Sequence, residues 1–138
     1  MRVYSGMLFV ALCCVCITPV IAHHAFSAEF DADKPVKLSG TVTKVEWENP
    51  HAWFYIDVKD ATGKVENWGF EMGSPNILIR AGWGRNSLKI GDVVTVEASR
   101  AKNGANIANA KVVILDSTGQ KLFAGSSQGQ TERLRRDP

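Results

Sequence analysis

The chain has 138 residues, 45% of them hydrophobic and 22% charged, with a formal charge of +2. So even a balance excludes the strongly basic surface that a nucleic-acid-binding domain presents. The three cysteines, Cys13, Cys14 and Cys16, all fall within the first 22 residues, so the remainder can form neither a disulfide nor a thiolate metal site.

Those first 22 residues read as a secretory signal. Arg2 supplies a short positive start, residues 7–20 form an uncharged apolar run, and Val20-Ile21-Ala22 is a signal-peptidase site. The run is shorter than the roughly 18–20 residues that a membrane-spanning helix needs, which disfavours an uncleaved anchor. A lipoprotein box is absent, since Leu12, Cys13 and Val15 precede the cysteines where small residues are required. Cleavage after Ala22 leaves 116 residues, enough for one domain with its own core. The expectation is a periplasmic protein with no membrane span after cleavage and no nucleic-acid partner. Its three histidines, His23, His24 and His51, all survive, and the first two become the new terminus.

Residues 23–35 read as an acidic leader with Glu29, Asp31 and Asp33, closed by Pro35 and anchored by Phe26 and Phe30. The domain proper is expected over residues 36–124. Its first strand, residues 36–47, alternates Val36, Leu38, Gly40 and Val42 with polar residues, then changes phase at Val45 and Trp47. That change predicts a bulge near Lys44, and Gly40 predicts a sharp bend. The Asn49-Pro50 turn leads to a second strand with Ala52, Phe54, Ile56 and Val58 on one face and His51, Trp53, Tyr55 and Asp57 on the other.

Asp60-Ala61-Thr62-Gly63-Lys64 predicts a hairpin with Gly63 in the left-handed position. Placing Asp60 opposite Lys64 pairs Phe54 with Phe70, Ile56 with Trp68 and Val58 with Glu66. On the other face it pairs Trp53 with Glu71, Tyr55 with Gly69 and Asp57 with Asn67. Ser74-Pro75 then reads as a helix start and Gly82 as its stop, with Trp83 folded back to plug the end of a barrel. A fourth strand carries Val94, Val96 and Ala98, a fifth covers residues 110–115, and a short Lys121-Leu122-Phe123 segment follows. Residues 125–138 read as a disordered tail in which Arg133, Arg135 and Arg136 are solvated.

Three meandering strands, one short helix and two further strands make an all-β chain with one short helix. That is the order of a small OB-like five-stranded barrel, with the helix between strands three and four and ligands on the face of strands two and three. Another small closed barrel, or a sandwich with one helix, is the alternative.

Several motifs carry a family resemblance. They are His23-His24-Ala25-Phe26, Gly40-Thr41-Val42, Trp47-Glu48-Asn49-Pro50-His51-Ala52, Phe70-Glu71-Met72-Gly73-Ser74-Pro75, Gly82-Trp83, Gly91-Asp92-Val93-Val94 and Phe123-Ala124-Gly125-Ser126-Ser127. Together they resemble a domain-of-unknown-function family of small exported proteins of Gram-negative bacteria. The resemblance implies an exported single small domain and brings no activity with it.

Two kinds of site are legible. If His23 is the first mature residue, its α-amine and imidazole can chelate one metal ion, with His51 as a third nitrogen. In a second version the amine, the next amide and His24 do so. Nitrogen-rich ligation of this sort suits Cu(II), and Zn(II) or Ni(II) also fit. Without a metal, the two terminal histidines simply follow a cleavage site and His51 bonds to a carbonyl after the turn. The other site is the face of Trp53, Tyr55, Asp57, Asn67 and Glu71. There, aromatic rings beside carboxylates and an amide suit a small molecule or a partner protein. The alternative is that the leader or the helix packs over this face. A catalytic arrangement of Asp57, Glu71 and His51 with Ser74 lacks a base fixed beside the serine, so no catalytic residue is assigned.

Overall fold

The computed structural model describes residues 25–125. The expected signal segment, His23, His24 and the tail from residue 126 lie outside the described residues.

A single turn of helix, α1 (Ala25–Glu29), runs directly into a long strand, β1 (Phe30–Glu46). The strand therefore starts six residues before Val36, inside the expected leader. The cause is Phe30, which pairs with Ala101 of β4 (Val93–Ala101); the ladder then shifts register and resumes at Pro35 opposite Ser99. Phe26, Phe30 and Ala101 form a small cluster with Ala32 and Ile107 packed against it. Each buried phenylalanine contributes about 1.5–3 kcal/mol to holding this segment down.

Past Pro35, β1 lies along β4 as far as Thr41, then crosses to pair with β2 (Trp53–Lys59) from Thr41 to Glu46. The expected bulge is present, between Val42 and Lys44. One strand thereby belongs to both halves of the sheet, and the barrel turns its corner there. The Asn49–Pro50 peptide before β2 is cis.

β2 and β3 (Val65–Glu71) form the expected hairpin in the expected register, from Trp53 opposite Glu71 to Val58 opposite Glu66. The Asp60 carboxylate accepts from Thr62 N at 2.8 Å and Lys64 N at 3.0 Å, and Gly63 takes a φ of 87°. This turn chemistry sets the register that sends Phe54, Ile56, Trp68 and Phe70 inward.

The short helix α2 (Pro75–Arg80) has Ser74 as N-cap, accepting from Ile77 N at 3.4 Å, and Pro75 in its first turn. Its Leu78 is fully buried. Trp83 is buried as well, and its Nε1 donates to the Phe123 carbonyl at 2.8 Å. The indole thus closes one end of the barrel and ties the helix to the last strand.

β5 (Ile107–Leu115) begins three residues earlier than the apolar pattern indicates, and those residues close the ring. Ile107, Ala108 and Asn109 pair parallel with Gly69, Phe70 and Glu71 of β3, while β5 from Ala108 to Leu115 runs antiparallel to β4 on its other side. The result is a closed, OB-like ring of five strands in the order β1-β2-β3-β5-β4, with β6 (Lys121–Phe123) added beside β5. Phe54, Phe70, Ile56, Met72, Leu78, Val42, Val94, Val96 and Val113 are the large fully buried residues at its centre. Among the described residues, no helix is long and apolar enough to cross a membrane.

Candidate functional site

Residues directly opposite each other in a sheet share a face. The pairings therefore put Trp53, Tyr55, Asp57, Asn67, Gly69 and Glu71 on the outer face of β2 and β3, in one strip. The strip is not uniform. Asp57 and Asn67 are exposed, Trp53 and Tyr55 are half-buried, and Glu71 is buried at 8% exposure.

At the exposed end, Asn67 Nδ2 donates to Asp57 Oδ1 at 2.8 Å and to Thr43 Oγ1 at 3.2 Å. In the middle, the Trp53 and Tyr55 rings stack with centroids 6.4 Å apart and planes 21° from parallel. Both lie across Gly69: a β-carbon there would sit 3.1 Å from Tyr55 Cε1 and 3.8 Å from Trp53 Cζ3. The rings shield a stretch of bare backbone, so part of their burial is structural. Tyr55 Oη donates to Glu46 Oε2 at 3.1 Å, and Lys44 Nζ stands 5.4 Å from the Tyr55 ring centroid. Partial burial and the bond to Glu46 raise the phenol pKa, while the Lys44 contact lowers that of Glu46.

The buried end is different in kind. Glu71 pairs with Trp53 on one side and Asn109 on the other, and Asn109 pairs in turn with Ser99, giving a cross-strand row over β2, β3, β5 and β4. Asn109 and Ser99 are almost wholly buried. What covers this row follows from its neighbours. Ile107 and Ala101 lie two residues along from Asn109 and Ser99, on the same outer face, and both belong to the cluster built on Phe26 and Phe30. The segment of Phe26 and Phe30 thus lies beside this end of the face, while the Trp53 and Tyr55 portion stays part-exposed.

At this end, His51 Nδ1 lies 3.0 Å from Glu71 Oε1, and Asn109 Nδ2 donates to the same oxygen at 3.4 Å. Burial, reinforced by the charge of Glu29 at the end of α1, pushes the Glu71 carboxyl up to about 7; the bond from Asn109 pulls weakly the other way. A protonated imidazole at His51 would also favour the ionised carboxylate. About a third of the His51 side chain remains in contact with solvent.

Of the metal-ligand candidates, only His51 falls among the described residues, and no three His, Cys, Asp or Glu side chains there are grouped to hold a metal ion. Ser74 is occupied as a helix cap. Asn109 and Glu46, with Glu29 of the leader and Lys44 of the bulge, also belong to the site, a role that strand alternation and turn chemistry do not assign them. A signal existed for Asn109, an amide set directly between Ala108 and Ala110. Nothing in the order of residues ties Glu29 or Glu46 to the strip.

No curated protein matches the chain. Among solved structures it is similar to the dimeric N-terminal domain of PriB protein from Thermoanaerobacter tencongensis, at 19% identity and a TM-score of 0.41. That match covers 60% of this chain and 96% of that one. The model of a family of unknown function, DUF6152, matches residues 11–110, and the chain belongs to that family.

Proposed function

We propose that this is an exported periplasmic binding protein whose ligand is a transition metal, copper first. The donors would be the amine and imidazole of His23 as the first mature residue, completed by His51 or by His24. The observation that supports this is the position of α1. Its last residue, Glu29, acts on Glu71, and Glu71 contacts His51. His24 directly precedes Ala25, and a turn of helix plus two extended residues covers only about 13 Å. A reach of that length is what the proposal requires of residues 23 and 24 if they and His51 are to share one metal ion.

The test is a Cu(II) titration followed by electron paramagnetic resonance on protein exported and cleaved by its own signal. Mass spectrometry first establishes that the chain begins at His23. The expected result is one tightly bound Cu(II) with a nitrogen-rich signal that weakens in His51→Ala and when one residue is added before His23. Weak binding indifferent to both changes removes the metal.

A second reading has its own support in the half-exposed stack of Trp53 and Tyr55. In it the chain binds a small molecule or partner protein without metal, through Trp53, Tyr55, Asp57, Asn67 and Glu71. Trp53→Ala separates the two, since it abolishes binding in this case and leaves copper affinity largely intact in the other.

A further inference from the structure

We infer that Glu71 is a positioning residue: its contact with Nδ1 of His51 holds the ring proton on that nitrogen and leaves Nε2 as the atom that meets a metal. This rests on the metal reading above and adds to it the orientation and tautomer of the barrel's own ligand.

A neutral imidazole has one nitrogen that donates and one that accepts, and the partner of the first decides which is which. When Glu71 is ionised, its oxygen 3.0 Å from Nδ1 can only accept, so it selects the form with the proton on Nδ1. Metal-binding histidines commonly have their second nitrogen held in this way, by a carboxylate or a carbonyl. The carboxylate is itself held. Glu71 stands in the ladder between Trp53 and Asn109, the Asn109 amide donates to the same Oε1, and its side chain is covered to 11% exposure. Asn109 reaches that place only because β3 and β5 pair in parallel to close the barrel. Closure of the ring thus fixes Glu71, Glu71 fixes His51, and His51 turns Nε2 away from the pair.

Among the described residues of this face, His51 is the group that gives a carboxylate here a partner to serve. The charge of Glu29 repels it, and its neighbours in the row are an indole and an amide. A buried carboxylate without a positive partner opposes folding. An isosteric amide would suit the burial better, so the acidic group serves the imidazole.

Two measurements test this on the full mature chain. The first needs no metal: long-range proton–nitrogen correlation of the His51 ring at about pH 8.5, where imidazoles are ordinarily neutral. The proton is expected on Nδ1 in the natural chain and on Nε2 in Glu71→Ala. A ring already protonated on Nε2, or unchanged by the substitution, overturns the positioning role whether or not copper binds. The second is Cu(II) affinity in Glu71→Ala, Glu71→Gln, His51→Ala and the double variant Glu71→Ala/His51→Ala. Loss of Glu71 is expected to cost about 10–100-fold in affinity, Glu71→Gln recovering part of it as a remaining acceptor. That loss is expected to vanish once His51 is absent. An equal loss in both backgrounds shows that Glu71 does not act through His51 and overturns the proposal. A natural chain that binds no copper overturns the metal reading, and the tautomer result then reports on Glu71 by itself.

Discussion

Gly40 passes so close to Asp57 that a β-carbon on it would stand 2.2 Å from the Asp57 carbonyl oxygen and 3.3 Å from Ile56 Cδ1. This is the point where β1 leaves β4 and crosses to β2, with Thr41 paired both to Val93 and to Asp57. The atom in the way is backbone, so no side-chain rotation relieves it. Gly40→Ala is expected to destabilise the domain by about 3 kcal/mol, through displaced ladder bonds between β1 and β2. Urea unfolding measures it, and a loss under about 1 kcal/mol would show that the corner adjusts freely.

The Glu71 carboxyl sets a direction for stability against pH. Its folded value, about 7, is above the ordinary 4.5, so the folded chain holds a proton that the unfolded chain releases. The contribution is complete below about 4.5 and is lost as pH rises through about 7. Glu29 and Asn109 both act on the group, and part of it meets water, so about 1–2 kcal/mol is expected. Unfolding of metal-free protein at pH 5 and pH 8 measures the fall. Glu71→Gln, which has nothing to ionise, is expected to flatten it.

Phe26 holds α1 down. Phe26→Ala is expected to cost about 3 kcal/mol, at the low end for a buried phenylalanine because its cluster is small and peripheral. Hydrogen exchange is expected to speed up in α1 and the first residues of β1 and to leave β2 and β3 as they were. The Glu71 pKa is expected to fall toward the ordinary value in the same variant, because burial under this segment is its main cause. A carboxyl titration that does not move would mean that other residues cover Glu71.

Trp83 contributes in two separable ways. Trp83→Phe keeps most of the apolar bulk and strands the Phe123 carbonyl, for an expected loss of about 1–2 kcal/mol. Trp83→Ala also opens a cavity in the core cluster that includes Leu78 and Leu88 and is expected to cost about 3–5 kcal/mol. Thermal unfolding of the two variants measures the difference. Equal losses would mean that the hydrogen bond carries the whole effect.

The β2–β3 hairpin was legible because local chemistry determines it. Asp60 and Gly63 specify the turn, and period-two alternation then allows one register that buries Phe54, Ile56, Trp68 and Phe70 together. The cap at Ser74, the bulge between Val42 and Lys44 and the burial of Trp83 were legible for the same reason, since each has a signal within a few residues. The first strand is longer than its local pattern indicates. Asp31, Asp33 and Pro35 argue against a strand locally, and only Phe30 meeting Ala101, some seventy positions away, outweighs them.

The site divides along the same line. That Trp53, Tyr55, Asp57, Asn67 and Glu71 share one face follows from alternation, and the sequence alone settles it. That Glu71 is buried while Asn67 is exposed does not follow, because the difference comes from what lies above the sheet. Parallel pairing of β3 with β5 brings Asn109 beside Glu71, and docking of Phe26 and Phe30 brings Glu29 near it. These contacts join residues tens of positions apart, and they exist only once the barrel has closed. Alternation and turn chemistry act over a few bonds, so the chain's own order of residues determined the strands and their faces. Burial and the carboxylate's proton affinity depend on distant parts of the chain excluding water together, and only the tertiary structure decided them.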